Sequence, residues 1–575
     1  MNSNTRRLLV TFGLGLGLAL GLLWGLGGAP PTAHAGAGDV YCVTLAGGGP
    51  YAACDQVFTN VQDAVDAADG GEEIRVASGI YTGVSTRTAP LWYSGPSSVI
   101  TQVVYISKTI TVRGGYTTTN GFTAPPDPVN NPTTLDAEGN GRVLVIFGDY
   151  TPSLNPTISV IVEGLHITGG NAAGLGGDPG RDAAGGVGVY FATITIHNCW
   201  VSDNVAEVAG GIGLAYSGAI LSENIIEANT AITRANCGIY CGEGGGIGLA
   251  ISTATLIGNT IISNTAGYDG GGIITTGRID EDTIIGSTIV LTGNTIISNT
   301  SLYAGGGGLY MDTTTATLSG NSFIANQARD VSGVQGGGAV YLWDSKATFV
   351  GAAIISNTTT SLGGGVFLSG EDGSDATLIN SVIADNRAEI KGSGLYLERL
   401  SSYRLLHVTI AHNTGGDESG IHVTTDEYNQ YSTVIMTNTI LVGHAVGITV
   451  TEGCTATLES TLWSNIPDWG GDGDITTNND YTGDPAFVDP AAWDYHLTGK
   501  SAAIDKGIDT LVLVDKDGVV RPQLRAPDLG AYEYVPPPVG GHTEPLRPLA
   551  ISWLWLLLAG VATVAIAATL KRRLA

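Results

Sequence analysis

The stretch Gly258-Asn259-Thr260-Ile261-Ile262-Ser263-Asn264-Thr265 decides the fold, because closely similar stretches recur along the chain. It is followed by Gly270-Gly271-Gly272-Ile273, and both pieces return 35 residues later, at 293–300 and 305–309. The asparagine-containing piece returns once more at 320–326. Self-similarity at a period of this size is typical of stacked structural units. The chain is therefore predicted to be a repeat protein.

Each repeat contains short, β-branched apolar runs and lacks helical periodicity. Examples are Ile247-Gly248-Leu249-Ala250-Ile251, Thr255-Leu256-Ile257 and Ile261-Ile262, which are separated by turn-forming residues. Such runs indicate strands rather than helix turns. Three short strands per repeat predict one coil of a parallel β-solenoid, so the predicted fold class is all-β. The longer repeats would carry their insertions in loops.

In most repeats an asparagine follows an apolar residue three positions later. An asparagine at the same corner of every coil can hydrogen-bond its neighbours above and below, and it tolerates a left-handed backbone. We predict a structural ladder of these asparagines, with Asp385 as the isostere that fills the one gap in the pattern. The glycine triplets are predicted to form tight corners. The predicted ladder positions are Asn204, Asn229, Asn264, Asn299, Asn326, Asn357 and Asn413.

Residues 1–35 have the features of an export signal. Arg6 and Arg7 precede an apolar run from 8 to 26, and Ala33-His34-Ala35 is a small-x-small cleavage motif. Cleavage is predicted near Ala35. Because the apolar run is long for a signal peptide, an uncleaved membrane anchor is the alternative. In both cases the following residues are expected outside the cell.

The charge balance argues against nucleic acid as a partner. The chain carries 25 basic and 52 acidic residues, a formal net charge of −27. Such a body repels polyphosphate, so we predict no nucleic-acid binding. No cofactor is predicted, although the acidic surface is compatible with Ca²⁺ binding.

The six cysteines form two close pairs and two single residues. Pairs close in sequence are disulfide candidates in an exported protein, whereas single cysteines are expected to be buried as small apolar groups. The disulfide candidates are Cys42, Cys54, Cys237 and Cys241, and the single cysteines are Cys199 and Cys454.

Residues 60–68 are predicted to form a short helix before the first coil. Asn60 can cap it, and an apolar stripe runs along one side. A solenoid end exposes unpaired strand edges, and this helix is predicted to cover them. The stripe consists of Val61, Ala64, Val65 and Ala68.

The helix and the following 74–81 resemble the N-terminal cap and first coil of pectin-lyase-like right-handed parallel β-helix proteins. Residues 108–116 and 162–170 look like further coils of that kind. The glycine-glycine-apolar and apolar-x-x-Asn signatures are also similar to the repeats of polymorphic outer-membrane proteins, a group associated with adhesion. The resemblance implies a right-handed parallel β-helix, with the cap and first coils in 36–150 and repetitive coils in 151–480.

Residues 481–535 carry a separate signature. Asp484-Pro485-Ala486-Phe487, Asp494-Tyr495-His496-Leu497 and 528–533 occur in order. They are similar to the choice-of-anchor segment of bacterial cell-surface β-helix proteins, which precedes diverse anchors. We predict that 481–535 form a C-terminal cap closing the solenoid end. Asp515 and Asp517 are Ca²⁺-ligand candidates, with turn formation as the alternative.

The C-terminal residues are predicted to anchor the chain in a membrane. Residues 536–548 form a linker rich in Pro and Gly. Residues 549–570 contain no charge and are long enough to cross about 30 Å of hydrocarbon. The basic tail, residues 571–575, is predicted to lie on the cytoplasmic side of the membrane. The prediction is a single-pass cell-surface protein with its β-helix outside.

Pectin-lyase-like folds often carry polysaccharide lyases and hydrolases, whose chemistry needs charged groups clustered on one outer face. The densest charged stretch runs from 371 to 422. Trp343, Tyr396 and Tyr403 are the nearest aromatic residues for sugar stacking. The catalytic candidates are Asp385, Lys391, Glu398, Arg404 and His412.

Two functions follow as hypotheses. The regular repeats, plain polar faces and anchor favour a surface protein that adheres to cells or binds glycans without catalysis. The alternative is a surface polysaccharide lyase or glycoside hydrolase acting on acidic polysaccharide. Convergence of the 371–422 charges in one groove lined with aromatic residues would favour the enzyme.

Overall fold

A computed structural model describes residues 38–88, 90, 99–149, 156–175, 182–233, 241–280, 283–331, 333–426, 428–465 and 467–537. The chain divides into two compact units, residues 1–534 and 535–575. The predicted signal peptide, transmembrane segment and basic tail lie outside the described residues. None of the helices within these ranges is long and apolar enough to cross a membrane.

Each repeat forms one coil of a parallel β-helix, which confirms the all-β prediction. In one coil, strand Ile247–Ala250 is followed by Thr253–Ile257, Thr260–Ile262 and Thr265–Ala266. Each strand pairs in parallel with its equivalent one coil later. Successive coils therefore stack about 4.8 Å apart.

The four strand positions of a coil build four faces of the β-helix. Face I is a 14-stranded sheet, and faces II and III form one 27-stranded sheet. Three long strands join faces II and III because they run through both: Thr433–Val442, Thr455–Trp463 and Asp474–Thr482. Face IV is a sheet of seven two-residue strands. The strands of face I are Ser85–Thr88, Val99–Ile106, Arg142–Phe147, Val187–Tyr190, Ile212–Ala215, Ile247–Ala250, Ile273–Thr276, Leu309–Asp312, Val340–Trp343, Val366–Ser369, Leu395–Leu397, Ser419–Val423, Val446–Val450 and Trp469–Gly470.

The remaining strands have the following bounds. Face II contains Val40–Val43, Gln56–Phe58, Glu73–Ala77, Ile110–Tyr116, Ser159–Glu163, Thr193–His197, Gly218–Ser222, Thr253–Ile257, Ser287–Thr292, Thr314–Ser319, Lys346–Val350, Asp375–Ile379 and Ser402–Leu406, followed by the three long strands. Face III contains Gly79–Tyr81, Thr133–Asp136, His166–Thr168, Trp200–Ser202, Ile225–Glu227, Thr260–Ile262, Thr295–Ile297, Ser322–Ile324, Ala353–Ile355, Val382–Ala384 and Thr409–Ala411. Face IV contains Val205–Ala206, Thr230–Ala231, Thr265–Ala266, Thr300–Ser301, Gln327–Ala328, Thr358–Thr359 and Arg387–Ala388. Two further antiparallel pairs complete the list: Arg278–Asp280 with Thr283–Ile285, and Phe487–Asp489 with Asp494–Leu497. Within face I, Ser85–Thr88 is also antiparallel to its neighbour Val99–Ile106.

Strand alternation fills one interior core along the β-helix. In strand Thr253–Ile257, Ala254 and Leu256 are fully buried, whereas Thr253 and Ile257 are exposed. The inward apolar residues of successive coils belong to one continuous cluster. The outward residues are free to differ from coil to coil, so any binding site must lie among them or in the turns.

Buried asparagines form a hydrogen-bonded ladder between faces III and IV. The Asn264 Nδ2 donates to the Ile226 carbonyl at 2.9 Å and to Asn299 Oδ1 at 3.0 Å. The Asn264 backbone N–H also donates to Asn299 Oδ1, at 3.0 Å. Each asparagine thus ties its coil to the coils on both sides. The ladder runs through Asn204, Asn229, Asn264, Asn299, Asn326, Asn357, Asn386 and Asn413.

Asn386, and not Asp385, occupies the ladder position of its coil. Asn386 is fully buried and donates to Asn413 Oδ1 at 2.9 Å. Asp385 precedes it at a corner where the backbone is left-handed, with φ 57°. His412 holds the same corner one coil later, with φ 55°. The prediction for Asp385 was wrong by one residue because Val382 and Ile383 are both apolar, and only Ile383 is the inward residue of the motif.

A second, shorter ladder lies between faces II and III. Asn259 Nδ2 donates to the Leu221 carbonyl at 2.8 Å and to Asn294 Oδ1 at 2.9 Å. These are the first asparagines of the recurring Asn-Thr-Ile stretch. The ladder runs through Asn224, Asn259, Asn294 and Asn321.

The glycine runs let neighbouring coils approach closely. A Cβ on Gly272 would lie 2.6 Å from the Gly308 carbonyl oxygen and 3.1 Å from the Asn299 side chain. Any larger residue would therefore push apart two coils at the ladder.

The N-terminal helix, α1, spans Val61–Ala67. Asn60 caps it, since its Oδ1 accepts the Gln62 N–H at 2.7 Å. The apolar side of α1 is buried in the interior core. That α1 covers the solenoid end stays a prediction.

Cys42 and Cys54 form a disulfide with Cα atoms 5.7 Å apart. Cys241 is also disulfide-bonded, and Cys237 lies outside the described residues. Cys199 and Cys454 are buried free thiols.

The predicted C-terminal cap lies along the side of the β-helix. Residues 487–534, here called the C-terminal clasp, pack Tyr495, Leu529 and Ala531 on the outer side of face III. The last long strand, Asp474–Thr482, pairs with one neighbour and has no buried residue. That this segment also closes the solenoid end stays a prediction. The turns after face II present carbonyl and amide groups that the clasp can bind, which the sequence motif alone does not reveal.

Hydrogen bonds tie the clasp to several coils. The Lys516 Nζ donates to the Gly351 carbonyl at 2.6 Å, and the Asn380 Nδ2 donates to the Val514 carbonyl at 2.7 Å. Further along, the Asn438 Nδ2 donates to the Ile508 carbonyl at 2.7 Å. The clasp therefore bridges coils that are far apart along the axis.

A buried ion pair holds the clasp together. Arg521 Nη1 lies 2.8 Å from Glu533 Oε2, and both side chains are 1% exposed. Arg521 also donates to the Asp528 and Gly530 carbonyls at 3.1 and 2.9 Å. Burial outweighs the neighbouring charges and lowers the pKa of Arg521.

The stability of the clasp is expected to fall as pH rises above neutrality. Hydrogen bonds to Asp517 and Asp494 raise the pKa of His496 to about 9, against about 6.5 in an unfolded chain. The protonated ring therefore stabilises the folded state fully below about pH 6.5, and this contribution is lost as pH rises through about 9. We expect the thermal midpoint to drop between pH 6 and pH 9, and to drop less in His496→Gln. Equal drops in both proteins would contradict this assignment.

Candidate functional site

The five predicted catalytic residues do not form one cluster. Asp385 and His412 lie together at the corner after face III, where the Tyr495 hydroxyl donates to Asp385 at 2.7 Å and lies 3.5 Å from His412 Nδ1. The clasp occupies that corner. Arg404 points outward from face II, and Lys391 lies in the turn before face I. Of the five, Glu398 alone lies on the outer side of face I.

The Ca²⁺ candidates are engaged in the clasp. Asp515 Oδ1 accepts the N–H groups of Asp517 and Val519 at 2.9 and 2.8 Å. Asp517 Oδ2 lies 2.8 Å from His496 Nε2. Among the described residues, no group of three or more His, Cys, Asp or Glu side chains is arranged to hold a metal ion.

A buried stack of rings runs along the outer side of face I. Tyr341 and Phe367 are stacked at 4.6 Å, and Tyr396 and His422 are stacked at 5.4 Å. Phe367 and Tyr396 meet edge-on at 5.1 Å. All four rings are at most 5% exposed. The stack therefore cannot contact a ligand, but it fixes the residues beside it.

The Asp417 carboxylate orients the last ring of the stack. His422 Nδ1 lies 2.5 Å from Asp417 Oδ2. Asp417 Oδ1 also accepts the Ser419 hydroxyl at 2.7 Å. Among the described residues, His422 Nε2 is buried and has no hydrogen-bond partner. This imidazole is held in one orientation by its carboxylate.

Beside the stack lies a half-buried patch that we call the Trp343 site, made of Trp343, Ser369, Glu398, Arg399 and Asp426. Trp343 and Ser369 are outward neighbours on successive strands, and the Ser369 hydroxyl donates to Glu398 at 3.0 Å. The Arg399 guanidinium lies over the Trp343 ring, 5.6 Å from its centre. The site thus combines an aromatic face with a cation and two carboxylates.

Glu398, one of the two carboxyl groups in this site, has a shifted pKa. It accepts hydrogen bonds from Ser369 and from the Tyr396 hydroxyl at 3.2 Å, and its side chain is 17% exposed. Burial raises the pKa of Glu398, although these hydrogen bonds and Arg399 oppose the rise. The carboxyl is therefore easier to protonate than an exposed glutamate.

Two polar atoms at the centre of the site have no hydrogen-bond partner among the described residues. They are Arg399 Nε and Asp426 Oδ2, which are buried and 3.9 Å apart. The Asp426 side chain is 4% exposed, and its Oδ1 accepts the N–H groups of Tyr428 and Gln430. Arg399 Nε and Asp426 Oδ2 attract each other as a long ion pair, and Arg399 Nε also lies 3.7 Å from Glu398 Oε1. A buried donor and acceptor without hydrogen bonds cost free energy, so a group that bonds both would be stabilised here.

The sequence pointed to Trp343 and Glu398 but not to their arrangement. Tyr396 and Tyr403 were wrongly predicted as aromatic residues for sugar stacking: Tyr396 is 5% exposed within the ring stack, and Tyr403 is buried in the interior core at 1% exposure. Asp426 was missed because it lies in a loop after face I. The alternation along Val340–Trp343 is the signal that separates outward Tyr341 and Trp343 from inward Val340 and Leu342.

A family model described as "Right handed beta helix region" matches residues 336–462. This match supports the predicted right-handed parallel β-helix over these coils. No curated protein sequence matches the chain.

Several solved structures are similar in fold. A PL6 alginate lyase in complex with a trisaccharide is 10% identical with a TM-score of 0.37, covering 78% of this chain and 89% of that one. The periplasmic alginate epimerase AlgG is 10% identical with a TM-score of 0.36, covering 73% and 83%. The A-module of the Azotobacter vinelandii mannuronan C-5 epimerase AlgE6 is 13% identical with a TM-score of 0.31, covering 74% and 93%. At such identities the likeness concerns the fold, and function must be argued from this chain's own residues.

Proposed function

We propose that this chain is an exported β-helix protein that binds neutral polysaccharide at the Trp343 site and is tethered to a membrane by residues 549–570. The observation that carries the proposal is the long ion pair of Arg399 Nε and Asp426 Oδ2, two buried atoms that lie 3.9 Å apart beside an aromatic ring and have no hydrogen-bond partner among the described residues. Sugars offer an apolar C–H face and hydroxyls that both donate and accept, which suits such a site.

One sugar hydroxyl can satisfy both unpaired atoms. A hydroxyl oxygen accepts from an N–H at about 2.9 Å and donates to a carboxylate at about 2.7 Å. The 3.9 Å separation of the two atoms permits both contacts at once. The Arg399 side chain is 29% exposed, so the guanidinium can turn to admit the hydroxyl.

The charge around the site favours a neutral sugar over an acidic one. Arg399 is accompanied by Glu398 and Asp426, and Asp312 lies next to Trp343 on the preceding strand. A uronate carboxylate brought to this place would meet more negative than positive charge. The proposal therefore departs from the acidic polysaccharide of the sequence-based alternative.

Trp343→Ala is expected to weaken binding of a neutral oligosaccharide at the Trp343 site at least tenfold, because the mutation removes the aromatic face of that site. The measurement is titration calorimetry of the full-length protein with cellohexaose, xylohexaose and mannohexaose, and with oligogalacturonate as the acidic comparison. Trp493→Ala is the matched control, since Trp493 is 44% exposed and lies outside the site. Binding that is unchanged in Trp343→Ala, or confined to oligogalacturonate, would contradict the proposal.

A second candidate function is turnover of the bound glycan. The observation that favours it is Glu398, whose raised pKa and hydrogen bond to Tyr396 suit a general acid. Release of reducing ends by the wild type, lost in Glu398→Gln with binding retained, would establish an enzyme. Binding without product formation would leave the non-catalytic function.

A further inference from the structure

A groove on the outer side of face III lies apart from both the Trp343 site and the clasp. It has a volume of about 310 Å³. Trp200 and Ile225 form part of its lining and are 44% and 45% exposed, and Val129 opposite them is 85% exposed. Large apolar side chains that share one concave surface mark a binding site more often than single exposed ones do.

The Trp200 ring is held in place before any ligand binds. It stacks on His166 with ring centres 4.3 Å apart and planes 13° from parallel. Trp200 Nε1 donates to Glu227 at 3.2 Å, and the His166 Nε2 lies 2.9 Å from the Ser202 hydroxyl. A ring fixed at both its face and its edge loses little freedom on binding, which favours affinity.

The polar groups around the groove restrict the class of ligand. Glu223, with a side chain 72% exposed, and Glu227 lie at its edge. Among the described residues that line it, none is Lys or Arg, and burial lowers the pKa of His166, which keeps this ring neutral at pH 7. Anionic groups are repelled, whereas sugar hydroxyls can donate to the carboxylates.

From these contacts we infer that the groove is a second binding site for a neutral sugar residue, centred on Trp200. This inference extends the proposed function, because it makes the chain bivalent. Trp200 and Trp343 stand on different faces and are separated by five coil steps, or about 24 Å along the axis. One protein molecule can therefore hold two strands of a polysaccharide.

Stoichiometry tests the inference separately from the proposed function. The full-length protein, in a detergent whose headgroup is not a sugar, is titrated with cellohexaose, xylohexaose and mannohexaose. We expect two sugar chains per protein in the wild type, one in Trp200→Ala, one in Trp343→Ala and none in the double variant. Trp493→Ala, with the same 44% exposure as Trp200, should keep two.

Each other outcome has a definite meaning. One chain per wild-type protein, lost in Trp343→Ala and retained in Trp200→Ala, overturns the second site and leaves the proposed function standing. One chain lost only in Trp200→Ala supports the second site and overturns the first. No binding of any probe overturns both. A Glu223→Phe variant, which puts a bulky side chain at a lining residue of the groove while Trp200 and its hydrogen bond to Glu227 are kept, should lose the second chain if the groove is the site.

Discussion

Replacing Asn299 by leucine is expected to lower the free energy of unfolding by about 4 kcal/mol, since several buried groups lose a hydrogen-bond partner and a buried group left without one costs about 1–3 kcal/mol. Asn299 Oδ1 accepts both the backbone N–H and the Nδ2 of Asn264 at 3.0 Å. Its own Nδ2 donates to the Ile261 carbonyl at 2.9 Å. Leucine has similar volume, so the loss reports hydrogen bonding rather than a cavity.

Urea unfolding monitored by circular dichroism measures this effect. Asn198→Gly is the control, because Asn198 is an exposed asparagine with a left-handed backbone that glycine adopts freely. We expect the control to lie within about 0.5 kcal/mol of the wild type. A loss below about 1 kcal/mol in Asn299→Leu would mean that the ladder contributes little, whatever its geometry.

Arg521→Met is expected to destabilise the clasp by about 3–5 kcal/mol, because it leaves the Glu533 carboxylate buried without its cation. The 2.8 Å ion pair is 1% exposed on both sides. Asp515 and Asp528 lie near enough to act on the Arg521 charge, so the loss of the arginine leaves three carboxyl groups close together. Detachment of the clasp should expose face III around Ile440 and Leu462.

Limited proteolysis of the region 487–534 is the direct measurement, with cleavage faster in Arg521→Met than in the wild type. The double variant Arg521→Met with Glu533→Gln should recover part of the loss, since a neutral pair is cheaper to bury than one unpaired charge. Arg525→Met removes an exposed arginine of the same segment and should behave like the wild type. Similar cleavage of all four proteins would refute the role given to the ion pair.

The repeat was enough to predict the coil because the signals are local. Each strand alternates inward apolar residues with outward residues, and each corner contains an asparagine. Thr253–Ile257 and Thr260–Ile262 needed no information from distant parts of the chain. The helix at 61–67 was predictable for the same reason, since its cap and its apolar stripe are local.

The functional surfaces were less predictable because they are assembled across coils. Glu398 and Asp385 are 13 residues apart in sequence, yet one lies on face I and the other meets Tyr495. Their separation depends on a turn that the charge pattern does not encode. Trp200 and His166 meet because coils of unequal length bring residues 34 apart into register, and that register follows from the strands rather than from a motif.

The clasp has a mechanical consequence. A pull on the chain at Val535 enters the β-helix through contacts at Gly351, Asn380 and Asn438, which belong to different coils. The load is therefore shared in parallel by several coils and acts along the surface of face III. If the clasp were absent, the same pull would act on the last strand alone and peel coils away one after another. The clasp thus replaces the sequential detachment of single coils by a shear load that several coils resist at the same time.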